Sequence, residues 1–175
     1  MKKVIIIAPI YDSLINFRGD LIEEIKNKDC EVVTISPAPS KQYQETFKDK
    51  KIKNITLNFE RNKVNPFHDF YMFIKLIIIF WTQSPDIVLS YGIKPVIYGG
   101  LAAKFFKINF YALVTGVGYA FQGDSFKRKL LTKFVAILYK SALKKANQVI
   151  FHNKENCNLF VEKNIISKLK TSVVN

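Results

Sequence analysis

The sequence predicts a doubly wound α/β domain, a mostly parallel sheet with helices on both faces. Two observations carry that expectation. Continuous Val/Ile/Leu/Phe runs of strand length suit strands covered on both sides, and they alternate regularly with helix-length segments. At 175 residues, 49% of them apolar, the chain is long enough for one medium domain with a substantial core. No repeat or Pro/Gly/Ser-rich linker interrupts it, so residues 1–175 read as a single domain.

The elements follow in order. The opening MKKVIIIAP has the lysines and apolar run of a signal peptide, but the run is only five residues before Pro9 and no A-x-A site follows. It reads instead as the first buried strand, Val4–Ile7. A helix over Arg18–Lys28 precedes the strands Val32–Ile35 and Ile55–Leu57. The helix Asn65–Gln83 leads to the strand Ile87–Leu89, and Pro95 opens a helix to Phe106, where its missing N–H costs nothing. The strand Phe110–Val114, the helix Phe126–Ala146, the strand Val149–Phe151, the helix Glu155–Lys163 and the strand Thr171–Val174 complete the alternation.

Composition narrows the class. Cys30 and Cys157 lie far apart with no C-x-x-C and no His cluster, which argues against a disulfide framework or a zinc site and makes a reducing cytosol the default. No metal ligand set is visible. The formal charge is +13, and it is uneven: residues 1–87 hold 13 basic and 11 acidic side chains, residues 88–175 hold 14 and 3. Such asymmetry speaks of an anionic partner, whether lipid, a phosphorylated substrate or nucleic acid. The sequence has no basic recognition helix in a helix-turn-helix context, no aromatic stacking motif and no zinc finger, so nucleic acid is the weakest of the three.

Two helices have unusual faces. In FHDFYMFIKLIIIFWTQ (67–83), His68, Lys75 and Thr82 share a narrow stripe and most of the rest is apolar. A membrane span needs about 20 apolar residues, and Phe70–Trp81 is shorter and contains Lys75. Two readings stay open: a deeply buried core helix, or a helix whose outer edge dips into a bilayer interface with Trp81 or Tyr71 at headgroup level. In Phe126–Ala146, Lys129, Lys133, Lys140 and Lys144 form a basic stripe, with Leu131, Phe134, Val135, Leu138 and Ala142 as a separate apolar face. Leu130 and Ile137 border the stripe on one side, Tyr139 and Leu143 on the other. No Asp or Glu occurs between Asp124 and Glu155, which favours a stripe lying on anionic lipid over an ordinary solvated face.

In parallel sheets ligands bind beyond the carboxyl ends of the strands. The loop Ala8–Arg18 has no G-x-G-x-x-G, so a dinucleotide site of the usual kind is excluded there, and Gly116-x-Gly118 is only a fragment after a late strand. Asn16-Phe17-Arg18 precedes the predicted helix Gly19–Lys28, where N–H groups and a guanidinium meet an anion. Ser90, Tyr91 and Lys94 emerge at another strand end, with Gly99 and Gly100 allowing close packing behind them. Thr115, Gly116, Gly118 and Tyr119 emerge at the next, where the glycines either expose backbone donors or form a plain tight turn.

The first strand with Asn16-Phe17-Arg18, PDIVLSYGIKPVIYGGLAAK, ALVTGVGYAF, the basic helix and VIFHNKEN together resemble the N-terminal half of family 4 glycosyltransferases. Within that family they are most similar to bacterial enzymes that add a hexose or N-acetylhexosamine to an undecaprenyl-diphosphate-linked acceptor during glycan or capsule assembly. The resemblance implies a GT-B architecture of two Rossmann-like domains, of which this chain is the acceptor-side one. It implies acceptor-binding roles for Asn16, Phe17, Arg18, Tyr91, Lys94, Thr115, Gly116, Gly118 and Tyr119, and membrane binding by the four stripe lysines. The donor nucleotide sugar and a Glu-x7-Glu element belong to a C-terminal domain absent here. Glu155 and Glu162 are a near miss on a solvated helix face, separated by six residues. Many family members place a His where this chain has Thr115, and His68 and His152 read as structural.

The resemblance further implies retaining transfer without a divalent ion or other cofactor, peripherally on the cytoplasmic face of the inner membrane. The partners it implies are the polyprenyl-diphosphate-linked acceptor, an anionic membrane surface, and a donor-binding domain in the same chain or in a separate subunit. Alone, the chain is expected to be inactive. Two alternatives remain: a non-catalytic subunit that recruits the catalytic part of a split glycosyltransferase to the membrane, and a nucleotide- or nucleic-acid-binding α/β protein.

Overall fold

The computed structural model describes residues 1–43, 52–60, 65–116 and 125–174. Seven strands form one sheet: β1 (Lys2–Ile7), β2 (Cys30–Ser36), β3 (Lys53–Thr56), β4 (Ile87–Tyr91), β5 (Asn109–Val114), β6 (Gln148–Phe151) and β7 (Thr171–Val173). Its order is β3-β2-β1-β4-β5-β6-β7 and every pairing is parallel. The five α-helices among the described residues are α1 (Asp12–Lys26), α2 (Pro66–Gln83), α3 (Ile93–Phe106), α4 (Phe126–Leu143) and α5 (Lys154–Glu162).

The strand order reverses direction between β1 and β4, and right-handed crossovers put helices on opposite faces on either side of such a reversal. The core divides accordingly. On one face Ile5, Ile7, Val88, Phe110, Val149 and Phe151 meet the inner sides of α2, α3, α4 and α5. On the other, Val4, Ile6, Val32 and Leu113 pack with Leu14 and Ile22 of α1. The doubly wound expectation holds, with one face carrying a single helix among the described residues.

Close approaches fix the helix layer on the sheet. A Cβ at Gly99 would lie 2.8 Å from Ser90 Oγ, and one at Gly100 2.8 Å from Phe110 Cε1 and 3.1 Å from Ala142 Cβ of α4. Gly92, the N-cap of α3, has φ +84° and sits against Pro9. Side chains other than glycine rarely adopt that conformation, so the β1 and β4 loops meet at the reversal point only because residue 92 is glycine.

The boundary of α1 departs from the sequence reading. It begins at Asp12, so Asn16-Phe17-Arg18 lies inside the helix and its backbone is no free anion-binding terminus. Leu14 and Ile22, both buried, hold this earlier turn to the sheet, and Gly19 faces open space where its weak propensity is tolerated. Likewise α3 starts at Ile93 rather than Pro95, placing Lys94 in its first turn.

Helix α4 is rotated relative to expectation. Tyr139 and Leu143, expected to border the basic stripe, are each 1% exposed, whereas Phe134, expected inside, is 54% exposed. Tyr139 turns inward because it packs edge-on against Phe160 at 5.0 Å, and Ala142 because Gly100 leaves it room. Lys129, Lys133, Lys140 and Lys144 are exposed as expected, beside exposed Phe126, Leu130, Phe134 and Ile137. Nor is α2 buried all round: Asp69, Met72, Leu76 and Phe80 are buried and Phe73, Ile77 and Ile79 pack partly against the core, while Phe67, Phe70, Tyr71, Ile74, Ile78 and Trp81 are exposed.

Candidate functional site

At the carboxyl edge of the sheet, β4 ends on Tyr91 and β6 is followed by His152, while α1 projects Ser13 and Arg18 toward both. Ser13 Oγ donates to the Ile10 carbonyl at 2.6 Å. Its one proton is thereby used, so the Tyr91 hydroxyl donates to Ser13 Oγ across 2.8 Å. Arg18 lies over the Tyr91 ring, 5.4 Å from its centroid, a cation–π contact. Its Nη1 donates to the Phe17 carbonyl at 2.7 Å and its Nη2 faces His152 Nε2 at 3.2 Å.

The electrostatics of this cluster are one-sided. Among the described residues Arg18 has no ion pair, and its buried Nε has no hydrogen-bond partner. Desolvation, then the Arg18 charge, lowers the His152 pKa, so the imidazole is neutral at neutral pH and accepts from Arg18 through Nε2. Burial pushes Tyr91 up to about 12, against smaller lowering effects of Ser13 and Arg18, which keeps its hydroxyl protonated. An uncompensated guanidinium with spare donors, beside a neutral imidazole, is suited to an anion with several acceptor oxygens.

Next to it, a cavity of about 520 Å³ opens between the turns that follow β1, β2 and β3, with Tyr11, Asp12, Ser40, Asn58, Phe59 and Glu60 in its lining. Glu60 Oε2 is buried and has no hydrogen-bond partner among the described residues. A buried carboxylate oxygen without a donor favours a ligand that brings hydroxyl or amide hydrogens.

The sequence-predicted residues divide. Arg18 and Tyr91 meet. Asn16 is exposed nearby and accepts from the Tyr43 hydroxyl at 3.1 Å, and Phe17 is 72% exposed on the same helix. Thr115 and Gly116 follow β5 at the same sheet edge, whereas Gly118 and Tyr119 lie outside the described residues. Lys94 joins a different cluster: its Nζ is 2.6 Å from Oδ1 of the buried Asp69. Tyr98 also bonds that carboxylate; burial first, then the Asp69 charge and hydrogen bond, push its pKa well up. Lys94, expected on the acceptor side, thus forms an ion pair between α2 and α3, where an inward-facing carboxylate demands a cation.

Sequence reasoning missed His152 as a site residue, together with Ser13, Glu60 and the cavity. The position of His152 directly after a strand was the available signal. Glu155 and Glu162 are exposed on α5, as expected. Among the described residues no group of three or more His, Cys, Asp or Glu could hold a metal ion, and no helix is long and apolar enough to cross a membrane.

Comparison with known proteins shows the family. A relative from Campylobacter jejuni subsp. jejuni serotype O:2, N,N'-diacetylbacillosaminyl-diphospho-undecaprenol alpha-1,3-N-acetylgalactosaminyltransferase, is 32% identical over 168 residues, covering 93% of this chain and 44% of its own length. The chain thus spans less than half of that relative. In fold it is similar to a glycosyltransferase from Rickettsia africae (TM-score 0.70, 19% identity, 99% of this chain and 42% of that one). It is similar also to Acinetobacter baumannii MurG (TM-score 0.65, 15% identity, 100% and 45%). The family model described as "Glycosyl transferase 4-like" matches residues 11–153, from the N-cap of α1 to the N-cap of α5 and so across the whole Arg18, Tyr91 and His152 cluster; the chain belongs to that family.

Proposed function

We propose that this chain is the acceptor-side half of a retaining GT-B glycosyltransferase. The full enzyme moves a hexose or N-acetylhexosamine from a nucleotide sugar to a polyprenyl-diphosphate-linked acceptor. The donor nucleotide sugar belongs to a C-terminal domain or separate subunit. The observation that carries the reading is Arg18: a guanidinium without a counter-ion among the described residues, braced by Tyr91 and His152 where the strands end. The Campylobacter relative, named for a diphospho-undecaprenol substrate, supports the same chemistry.

In this reading Arg18 holds the acceptor diphosphate, and Tyr91 keeps the guanidinium in place through its ring while Ser13 fixes its hydroxyl. Thr115 and Gly116, after β5, face the donor side, with Asn16 and Phe17 on the α1 flank, and the acceptor-binding roles of Gly118 and Tyr119 belong to the same reading. The cavity beside Glu60 takes the saccharide, whose hydroxyls supply the missing donors. Lys129, Lys133, Lys140 and Lys144 rest on anionic headgroups at the cytoplasmic face of the inner membrane, each contributing about 1 kcal/mol near the surface.

The test is binding of a short-chain polyprenyl-diphosphate-linked N-acetylhexosamine to the chain and to Arg18→Ala. A charge-assisted hydrogen bond contributes about 1.5–3 kcal/mol, so affinity is expected to fall about 10- to 100-fold. Equal affinity of the variant refutes the assignment, and robust sugar transfer by the 175-residue chain alone refutes the half-enzyme reading.

A further inference from the structure

Arg18 and His152 are both bases, yet they face each other. Arg18 Nη2 lies 3.2 Å from His152 Nε2, and among the described residues no carboxylate pairs with either. Because Nε2 accepts from the guanidinium, the neutral ring carries its proton on Nδ1. A guanidinium has five N–H donors. Here one on Nη1 goes to the Phe17 carbonyl and one on Nη2 to His152, while the buried Nε–H meets no acceptor among the described residues. Desolvation first and the Arg18 charge second hold the ring neutral. The arrangement is unfavourable as it stands, with a buried donor unmade and a base denied its proton, and an anion reverses both.

The other elements around His152 leave the charge of its ring to whatever binds. Its backbone N–H donates to the Val114 carbonyl, which sets it beside the end of β5, where Thr115 and Gly116 are uncharged. Tyr91 at the end of β4 keeps its hydroxyl proton, and Ser172 and Val173 of β7 carry no charge. Lys154 and Glu155, at the start of α5, are exposed and opposite in sign. Arg18 is therefore the one charge acting on His152 from a neighbouring element among the described residues.

We infer that His152 is the second cation of a diphosphate site, uncharged in the free chain and protonated once a diphosphate ester lies against Arg18. The inference rests on the assignment of Arg18 to a diphosphate in the reading above, and adds that binding takes up a proton. That proton comes from solvent, which reaches the exposed imidazole. A phosphate within about 4–6 Å favours the imidazolium about 10- to 1,000-fold, and by reciprocity the proton strengthens ester binding by the same factor. The Nε2–H gained on protonation has no acceptor in a guanidinium, so it turns to a phosphate oxygen, and the released Nη2–H of Arg18 does the same.

Diesters of diphosphate keep two fixed charges near neutral pH, so any pH dependence of their binding belongs to the protein. Calorimetry of the 175-residue chain with a short-chain polyprenyl-diphosphate-linked N-acetylhexosamine, in buffers of different ionisation enthalpy, should read uptake of about half a proton or more at about pH 7. Affinity should fall about 10-fold or more from about pH 6 to about pH 8.5. His152→Gln keeps an oxygen that accepts from Arg18 but takes no proton; it should show neither effect and match the parent only at the high end. The chain has two histidines, so the His152 ring resonance is the one lost in that variant, and its titration midpoint should rise when the ester is added. Binding without proton uptake, or a His152→Gln variant with the parent's pH dependence, overturns the inference and leaves Arg18 in place. Proton uptake with UDP-N-acetylglucosamine but not with the polyprenyl ester upholds His152 as the second cation and overturns the acceptor assignment of Arg18. A chain that binds neither ester overturns both.

Discussion

Replacing Lys94 by Met separates a structural from a ligand-binding role. Lys94 Nζ stands 2.6 Å from Asp69 Oδ1, and the two side chains are only 13% and 11% exposed. Removing one member of a buried pair costs about 3–5 kcal/mol because the other charge is left desolvated. Here a tenth of each side chain still reaches solvent and Tyr98 remains as a donor to the carboxylate, so the expected loss is nearer about 2–3 kcal/mol. For a chain of this size each kcal/mol is worth about 2–4 °C, which gives a melting-temperature drop of about 4–12 °C. Combining Lys94→Met with Asp69→Leu should recover most of that loss, since no buried charge then remains. Thermal and urea unfolding of the parent, both single variants and the double measure it. An unchanged melting temperature for Lys94→Met, together with lost acceptor binding, would refute the ion-pair account and return Lys94 to the acceptor site.

Two further outcomes follow from the packing and the electrostatics. Phe160→Ala should cost about 3–5 kcal/mol, because the ring is fully buried between Tyr139 at 5.0 Å and Phe151 at 5.3 Å; urea unfolding checks it, and a loss under 1 kcal/mol contradicts the packing. The folded-state pKa of His152 is depressed, so the unfolded chain takes up its proton first as pH falls and this contribution to stability, present above about 6.5, is lost through the folded-state pKa. Denaturation midpoints at pH 7.5 and 5.5 should therefore converge more closely in His152→Gln than in the parent, and an identical pH dependence of the two contradicts the assignment.

Most of the fold was legible because it is local. Every strand foreseen from an apolar run is present, since runs such as Val4–Ile7 and Val149–Phe151 are buried on both faces and leave no polar alternation to confuse them. Helix ends were less legible. Ser84 and Lys107 end α2 and α3 in the left-handed conformation where glycine would have signalled the stop. The start of α1 was misread because the pull of Leu14 toward the sheet is a tertiary contact. Of the site, Arg18 and Tyr91 were foreseen individually, but their cluster was not, because Arg18 and His152 are 134 residues apart.

The sequence by itself determined the alternation of strands and helices, the parallel sheet that such alternation requires, the concentration of charge in the second half and the family likeness. Periodicity and composition encode these along a few neighbouring residues. The tertiary structure alone decided which way each helix face turns: Tyr139 inward and Phe134 outward on α4, the α2 aromatics to the surface, Lys94 onto Asp69. A helix pattern that is apolar over most of its circumference names no inner side. The choice is made where a partner surface admits one set of side chains, as Gly100 admits Ala142, and leaves the others to whatever lies outside.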